Sequence, residues 1–175
     1  MDDLDHRILS ALRARGADPR AASAARALSL AGEHGALWLA AGLAGAAVDG
    51  ARRGSWLRGT ALVAGAHVAS MSLKRVVRRA RPAHVEPLVH TLGSNSFPSS
   101  HAASATAAAM ALGALGTPYG TYAIRPLAAA MCLSRLVAGV HYPSDVAAGA
   151  ALGALTARLG ARWMRDGGRR EGRRP

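Results

Sequence analysis

Two histidines, an aspartate and three cations recur along the middle of this chain at spacings that suit phosphate chemistry. Lys74 and Arg81 stand seven residues apart, and Pro82 follows the arginine. Pro98, Ser99, Ser100 and His101 run together directly ahead of an alanine-rich stretch. Ser134 and Arg135 come next, with His141 six residues beyond the arginine and Asp145 four beyond the histidine. A phosphate monoester carries up to two negative charges and needs a dense positive cradle. Arginine's planar fork suits two-point contact with its oxygens, while lysine serves as a mobile point charge. Ser99 and Ser100 precede a helix expected near His101, so their hydroxyls and N–H groups can face an anion at a helix N-terminus. With a helix starting around Pro143, Asp145 stands one turn past His141. There it can hold one ring nitrogen and leave the other as a nucleophile.

Each string alone has a plainer explanation. Lys74, Arg75, Arg78, Arg79 and Arg81 read singly as a basic cluster flanking a membrane span, and His141 with Asp145 as a helix-capping pair. Together and in this order, they resemble the three signature blocks of the type-2 phosphatidic acid phosphatase (PAP2) superfamily, KxxxxxxRP, PSGH and SRxxxxxHxxxD. The chain departs from the second block at Ser100, where the family usually has glycine. The backbone N–H is retained there and the larger side chain narrows the pocket.

That resemblance implies an all-α, integral-membrane bundle and a phosphoric monoester hydrolase that uses no metal and no cofactor. It implies that His141 attacks phosphorus to form a phosphohistidine, that Asp145 orients it, and that His101 protonates the departing alkoxide. Lys74, Arg81, Ser99, Ser100 and Arg135 would hold the phosphoryl oxygens. The small size, the Ala/Gly/Arg-rich composition and residues 28–34 are further similar to short actinobacterial members associated with decaprenylphosphoryl-5-phosphoribose dephosphorylation. The expected substrate is therefore a polyprenyl-linked lipid phosphate. Undecaprenyl diphosphate, phosphatidic acid and phosphatidylglycerol phosphate stay open, as do a soluble acid phosphatase or haloperoxidase-like protein and a non-enzymatic membrane component.

At 175 residues the chain has the length of one domain. A formal charge of +12 raises the question of nucleic acid. Three tryptophans, three tyrosines and one phenylalanine give no basic–aromatic interleaving for base stacking. The arginines instead flank apolar runs and fill the C-terminal end, as expected beside anionic lipid headgroups. The expected partners are a lipid phosphate and the bilayer, not nucleic acid. Mean hydropathy is only +0.11, low for several membrane spans. Cys132 is the single cysteine, which excludes an intrachain disulfide and reads as a small buried thiol. Acids follow Met1 where a signal peptide would carry positive charge, so internal spans are expected to direct membrane entry.

Residues 3–15 pattern as an amphipathic helix, with Leu4, Ile8, Leu9 and Leu12 on one side. It lies either on a membrane surface or against a neighbouring helix. Five spans are expected, over 24–48, 55–77, 102–124, 122–140 and 144–163, giving a multi-pass protein of the cell membrane. Glu33 and His34 interrupt the first, either as functional groups or paired with each other or with a nearby arginine. Thr117-Pro118-Tyr119-Gly120 turns the chain after the third. Five spans place all three motif blocks on one membrane face. Small residues at Ala105, Ala109, Gly113, Gly149 and Gly153 favour close helix approach. The loop 83–97 is expected to frame the substrate entrance, its His84, Glu86 and His90 reading as solvated rather than metal-binding. The organisation expected is an amphipathic segment 1–20, a catalytic transmembrane domain 21–164 and a disordered basic tail 165–175.

Overall fold

Alanine and leucine dominate the apolar positions and β-branched residues are sparse, a composition that favours helix. The computed structural model describes residues 2–91, 93–115 and 120–171. Its helices are α1 (Asp2–Ala14), α2 (Pro19–Ala31), α3 (Ala36–Val48), α4 (Arg53–Val77), α5 (Ser100–Ala111), α6 (Arg125–Val137) and α7 (Pro143–Glu171). Among the described residues no strand forms, and Ala80 and Asn95 make one isolated antiparallel bridge. The all-helical expectation holds.

The element boundaries differ from the expected ones for identifiable reasons. The apolar run 24–48 is two helices, because His34 (φ 52) and Gly35 (φ 75) are both left-handed and break the ladder. α2 is started by Pro19 in its first turn and by Asp18, whose carboxylate accepts the Arg20 N–H at 2.8 Å. α5 stops at Ala111. The turn expected at 117–120 falls mostly on residues 116–119, which lie outside the described residues. Residues 120–124 form a π-helical turn that runs directly into α6, with Pro126 in the first turn of that helix. α7 continues through Glu171, into the segment expected as a tail, and residues 172–175 lie outside the described residues.

Among the described residues, no helix is long and apolar enough to cross a membrane. α5 has 12 residues, about 18 Å at the usual rise, against a hydrocarbon core of about 30 Å. α4 has the length, but carries Arg53, Arg58, Lys74 and Arg75.

α5 is the axis of the bundle, wrapped by α4, α6 and α7. Ala102, Ala103, Ala105, Ala107 and Ala108 are all 0% exposed. A Cβ added at Gly149 would lie 2.3 Å from the Ser99 carbonyl oxygen, and one at Gly153 would lie 2.2 Å from that of Ala103. The two glycines therefore let α7 ride on the backbone of α5. Trp38, Trp56, Val63, Leu112 and Met131 fill the space around this contact. α1 turns Leu9 and Leu12 onto Leu136, Tyr142 and Val146 and leaves Leu4 and Ile8 exposed, so part of its apolar side packs on a neighbour. This arrangement brings the last turn of α4, the first turn of α5, the end of α6 and the first turn of α7 to one end of the molecule.

Candidate active site

Lys74 is in the last turn of α4, which Arg78 ends by taking a left-handed conformation (φ 51). The Lys74 ammonium donates to the Ser96 carbonyl at 2.9 Å, and the Asn95 side chain donates back to the Lys74 carbonyl at 3.2 Å. Between them the chain folds on itself, with Ser96 N–H bonded to Arg79 O at 2.7 Å and Arg81 N–H to Ser94 O at 3.2 Å. Arg81 is thereby aimed at the α6–α7 turn, donating to Val140 O at 2.8 Å and to Gly93 O at 3.1 Å. Burial pushes the Arg81 guanidinium down from its ordinary range, and Asp145 offsets part of that.

Ser99 caps α5, its N–H donating to the Asp145 carbonyl at 2.9 Å. The second and third motif blocks are thus joined through the backbone. Ser100 is buried in the first turn, and His101 follows with Nε2 3.2 Å from the Ser29 carbonyl. Arg135 is 2% exposed, one terminal nitrogen on the Ser29 hydroxyl and its Nε without a partner. Gly32 has no side chain to hold α2 away. A Cβ there would lie 2.8 Å from His101 Cδ2 and 2.6 Å from Met131 Cε.

His141 is 3% exposed, in the turn before α7. Its Nδ1 lies 3.6 Å from Asp145 Oδ2, within ion-pair range but too long for a hydrogen bond. Catalytic hydrogen bonds are often long in ligand-free sites. Oδ2 meanwhile accepts the Tyr142 N–H at 2.8 Å. Burial above all, then Arg81 and Lys74, push His141 down to about 4 against the opposing pull of Asp145. Its ring is therefore neutral near pH 7, the state a nucleophile needs.

Lys74, Arg81, Ser100, His101, Arg135 and His141 line one cavity of about 380 Å³. Ser99 and Asp145 stand behind it, holding backbone and ring rather than facing the space. Leu88, Val89, His90 and Thr91 supply one wall, so part of the loop after α4, expected to frame the substrate entrance, lines the cavity. Among the described residues, no three metal-ligating side chains gather. His84 lies against the His6 and Tyr142 rings instead.

Residues 56–169 match the model of the PAP2 superfamily. The chain belongs to the PAP2 superfamily. It is 48% identical over 134 residues to a decaprenylphosphoryl-5-phosphoribose phosphatase of Mycolicibacterium smegmatis, covering 75% of this chain and 72% of that one. It is 46% identical over 139 residues to the protein of the same name from Mycobacterium tuberculosis, covering 78% and 76%. The crystal structure of a transmembrane PAP2 type phosphatidylglycerolphosphate phosphatase from Bacillus subtilis shares the fold, with a TM-score of 0.58 and 20% identity over 93% of each chain.

Two residues behind this PAP2 site escaped the motif reading. Arg79 donates to Asp145 Oδ1 at 3.0 Å, to Ser144 Oγ at 2.6 Å and to Asp5 Oδ2 at 2.9 Å, and lies over the Tyr142 ring with 4.1 Å to its centroid. Asp5 also accepts the Ser144 N–H at 3.0 Å. Burial lowers the Arg79 guanidinium, but the two carboxylates outweigh it and hold the charge firmly. The first helix thereby reaches the carboxylate beside His141. In sequence Arg79 is one of five basic residues between 74 and 81, and Asp5 sits 139 positions from Ser144, so no local pattern marks either.

Proposed function

We propose that this PAP2 protein is a membrane lipid-phosphate phosphatase acting on a phosphate monoester of a polyprenyl-linked sugar, of the decaprenylphosphoryl-5-phosphoribose kind. The observation that carries the chemistry is one cavity onto which the imidazoles of His101 and His141 converge with the cations Lys74, Arg81 and Arg135. The names of the mycobacterial relatives support the substrate class. His141 attacks phosphorus while the bond from phosphorus to the alkyl oxygen breaks, and His101 gives that oxygen a proton. Water then attacks the phosphohistidine with His101 taking its proton, the P–N bond breaks, and inorganic phosphate leaves. The three cations and the N–H groups at the start of α5 stabilise the charge that grows on the equatorial oxygens. This cationic set supplies the electrostatic stabilisation without a metal. Asp145, held by Arg79, stabilises the positive charge that His141 gains on forming the P–N bond.

A multi-pass placement in the cell membrane accompanies this reading. Leu43, Val68, Leu133, Leu155, Leu159 and Trp163 are exposed around the helices that build the bundle, an apolar jacket of the kind that lipid covers. The cavity then opens near the lipid–water boundary, where a headgroup enters with its tail still in lipid.

The test is phosphate release from decaprenylphosphoryl-5-phosphoribose in detergent or vesicles, with chelator present, vanadate as inhibitor and His141→Ala as control. Chelator-resistant release that the substitution abolishes is the expected result. Release that requires added magnesium overturns the mechanism.

A further inference from the structure

We infer that the break between α2 and α3 is a sugar subsite, in which Glu33 accepts hydrogen bonds from the hydroxyls of a phosphorylated pentose and turns away a second phosphate bonded directly to the first. The inference rests on the phosphatase reading above and names what that site selects. The cavity does not end at the phosphate floor. It continues to Glu33, His34 and His67, none of which belongs to a motif block.

The break is fixed close to the chemistry. Ser29 O meets His101 Nε2 at 3.2 Å, and Gly32 packs so tightly on His101 that a Cβ there would lie 2.8 Å from the ring. Residue 33 therefore begins one peptide beyond a direct contact with His101. The chain then turns through two successive left-handed residues, His34 (φ 52) and Gly35 (φ 75), the first of them not a glycine. Backbone held this way clusters at ligand sites, because the surroundings must over-determine it.

The chemistry of Glu33 decides the ligand. It is half-buried, and among the described residues its carboxylate makes no hydrogen bond or ion pair. An ionised carboxylate only accepts hydrogen bonds. Beside a cationic floor it opposes any ligand that brings a second anion to the same wall, and favours one that brings hydroxyl donors. A pentose next to the reacting phosphate supplies those donors and holds the lipid-bearing phosphate of decaprenylphosphoryl-5-phosphoribose on its far side. A diphosphate supplies a like charge, and a repulsive element of this kind is how a site rejects a competitor. The His34 and His67 rings, with centroids 6.3 Å apart, offer further polar groups on the same wall.

The experiment compares kcat/KM of the full-length protein on decaprenylphosphoryl-5-phosphoribose, a prenyl diphosphate and phosphatidic acid, for wild type, Glu33→Gln and the shorter carboxylate Glu33→Asp. In Glu33→Gln the preference for the phosphoribosyl lipid over the diphosphate should fall at least tenfold, largely through KM, with Glu33→Asp between the two. Loss in equal proportion on all three substrates, or an unchanged ratio, overturns the subsite. A wild type that hydrolyses phosphatidic acid but does not prefer the phosphoribosyl lipid also overturns it, and leaves the phosphatase reading standing. A wild type inert toward all three defeats the phosphatase reading, and the subsite falls with it.

Discussion

At the floor of the cavity Arg135 and His141 are 2% and 3% exposed, and the turns that carry them are tied by backbone bonds such as Ser99 N–H to Asp145 O. At its rim Glu33 is half-buried, His34 is exposed, and both sit in a break that only two left-handed residues sustain. The floor gathers cations and N–H groups at helix ends tied by backbone hydrogen bonds, one of them ended by left-handed Arg78 (φ 51). The rim uses an irregular backbone to put the Glu33 carboxylate and the His34 ring beside them. The proposed chemistry and the proposed recognition thus fall on surroundings that differ in burial and hydrogen bonding, closed below and open above.

The sharpest test of that contrast is His141→Ala, expected to cost at least about 10³-fold in kcat on every substrate if this ring is the group that takes the phosphoryl. A residual rate within tenfold of wild type would move the nucleophile elsewhere. His101→Ala should cost about 10²-fold or more in kcat, and substrates with more acidic leaving alcohols should recover part of it. Replacing Arg135 by lysine removes the planar fork while keeping the charge, with an expected loss of roughly tenfold in kcat/KM, about 1.4 kcal/mol. Equal activity in that variant would show that charge alone suffices at the floor. Arg26 lines the rim and is exposed, so Arg26→Ala should raise KM only about threefold, a change that added salt reduces.

The floor also predicts a dependence of stability on pH. His141 has an ordinary value of 6.5 and is held near 4 in the folded protein. Between those values the unfolded chain binds the proton and the folded one does not. Stability is therefore full above about pH 6.5 and declines as pH falls toward 4, by at most about 3 kcal/mol from this group. Thermal melts across that window should show the decline for wild type and a flatter curve for His141→Ala. Identical curves would mean that the ring is not buried as described.

The same contrast explains what was legible in the sequence. The floor residues lie in short strings whose order resembles the three PAP2 signature blocks, so Lys74, Arg81, Ser100, His101, Arg135 and His141 could be named through that resemblance, and one cavity is lined by all six. Helices were legible for a similar reason, because alanine and leucine favour them everywhere. The rim was not. An apolar run over 24–48 reads as one helix, since neither Glu33 nor His34 announces a left-handed turn. Arg79 was hidden among like charges, and only folding selects which arginine turns inward to Asp145. Asp5 was out of reach for any local argument, because its partners come from the far end of the chain.

One consequence follows from the alanines of α5. Their side chains are the smallest that still favour helix, and three neighbouring helices already touch them, so enlarging any one would spread the bundle and move Ser100 and His101 with it. The centre of the molecule leaves no slack through which new substrate preferences could arise. Diversification among proteins built on this plan is expected instead along the outer edge, at the α2–α3 elbow and the loop following α4, where a residue can change without disturbing the axle.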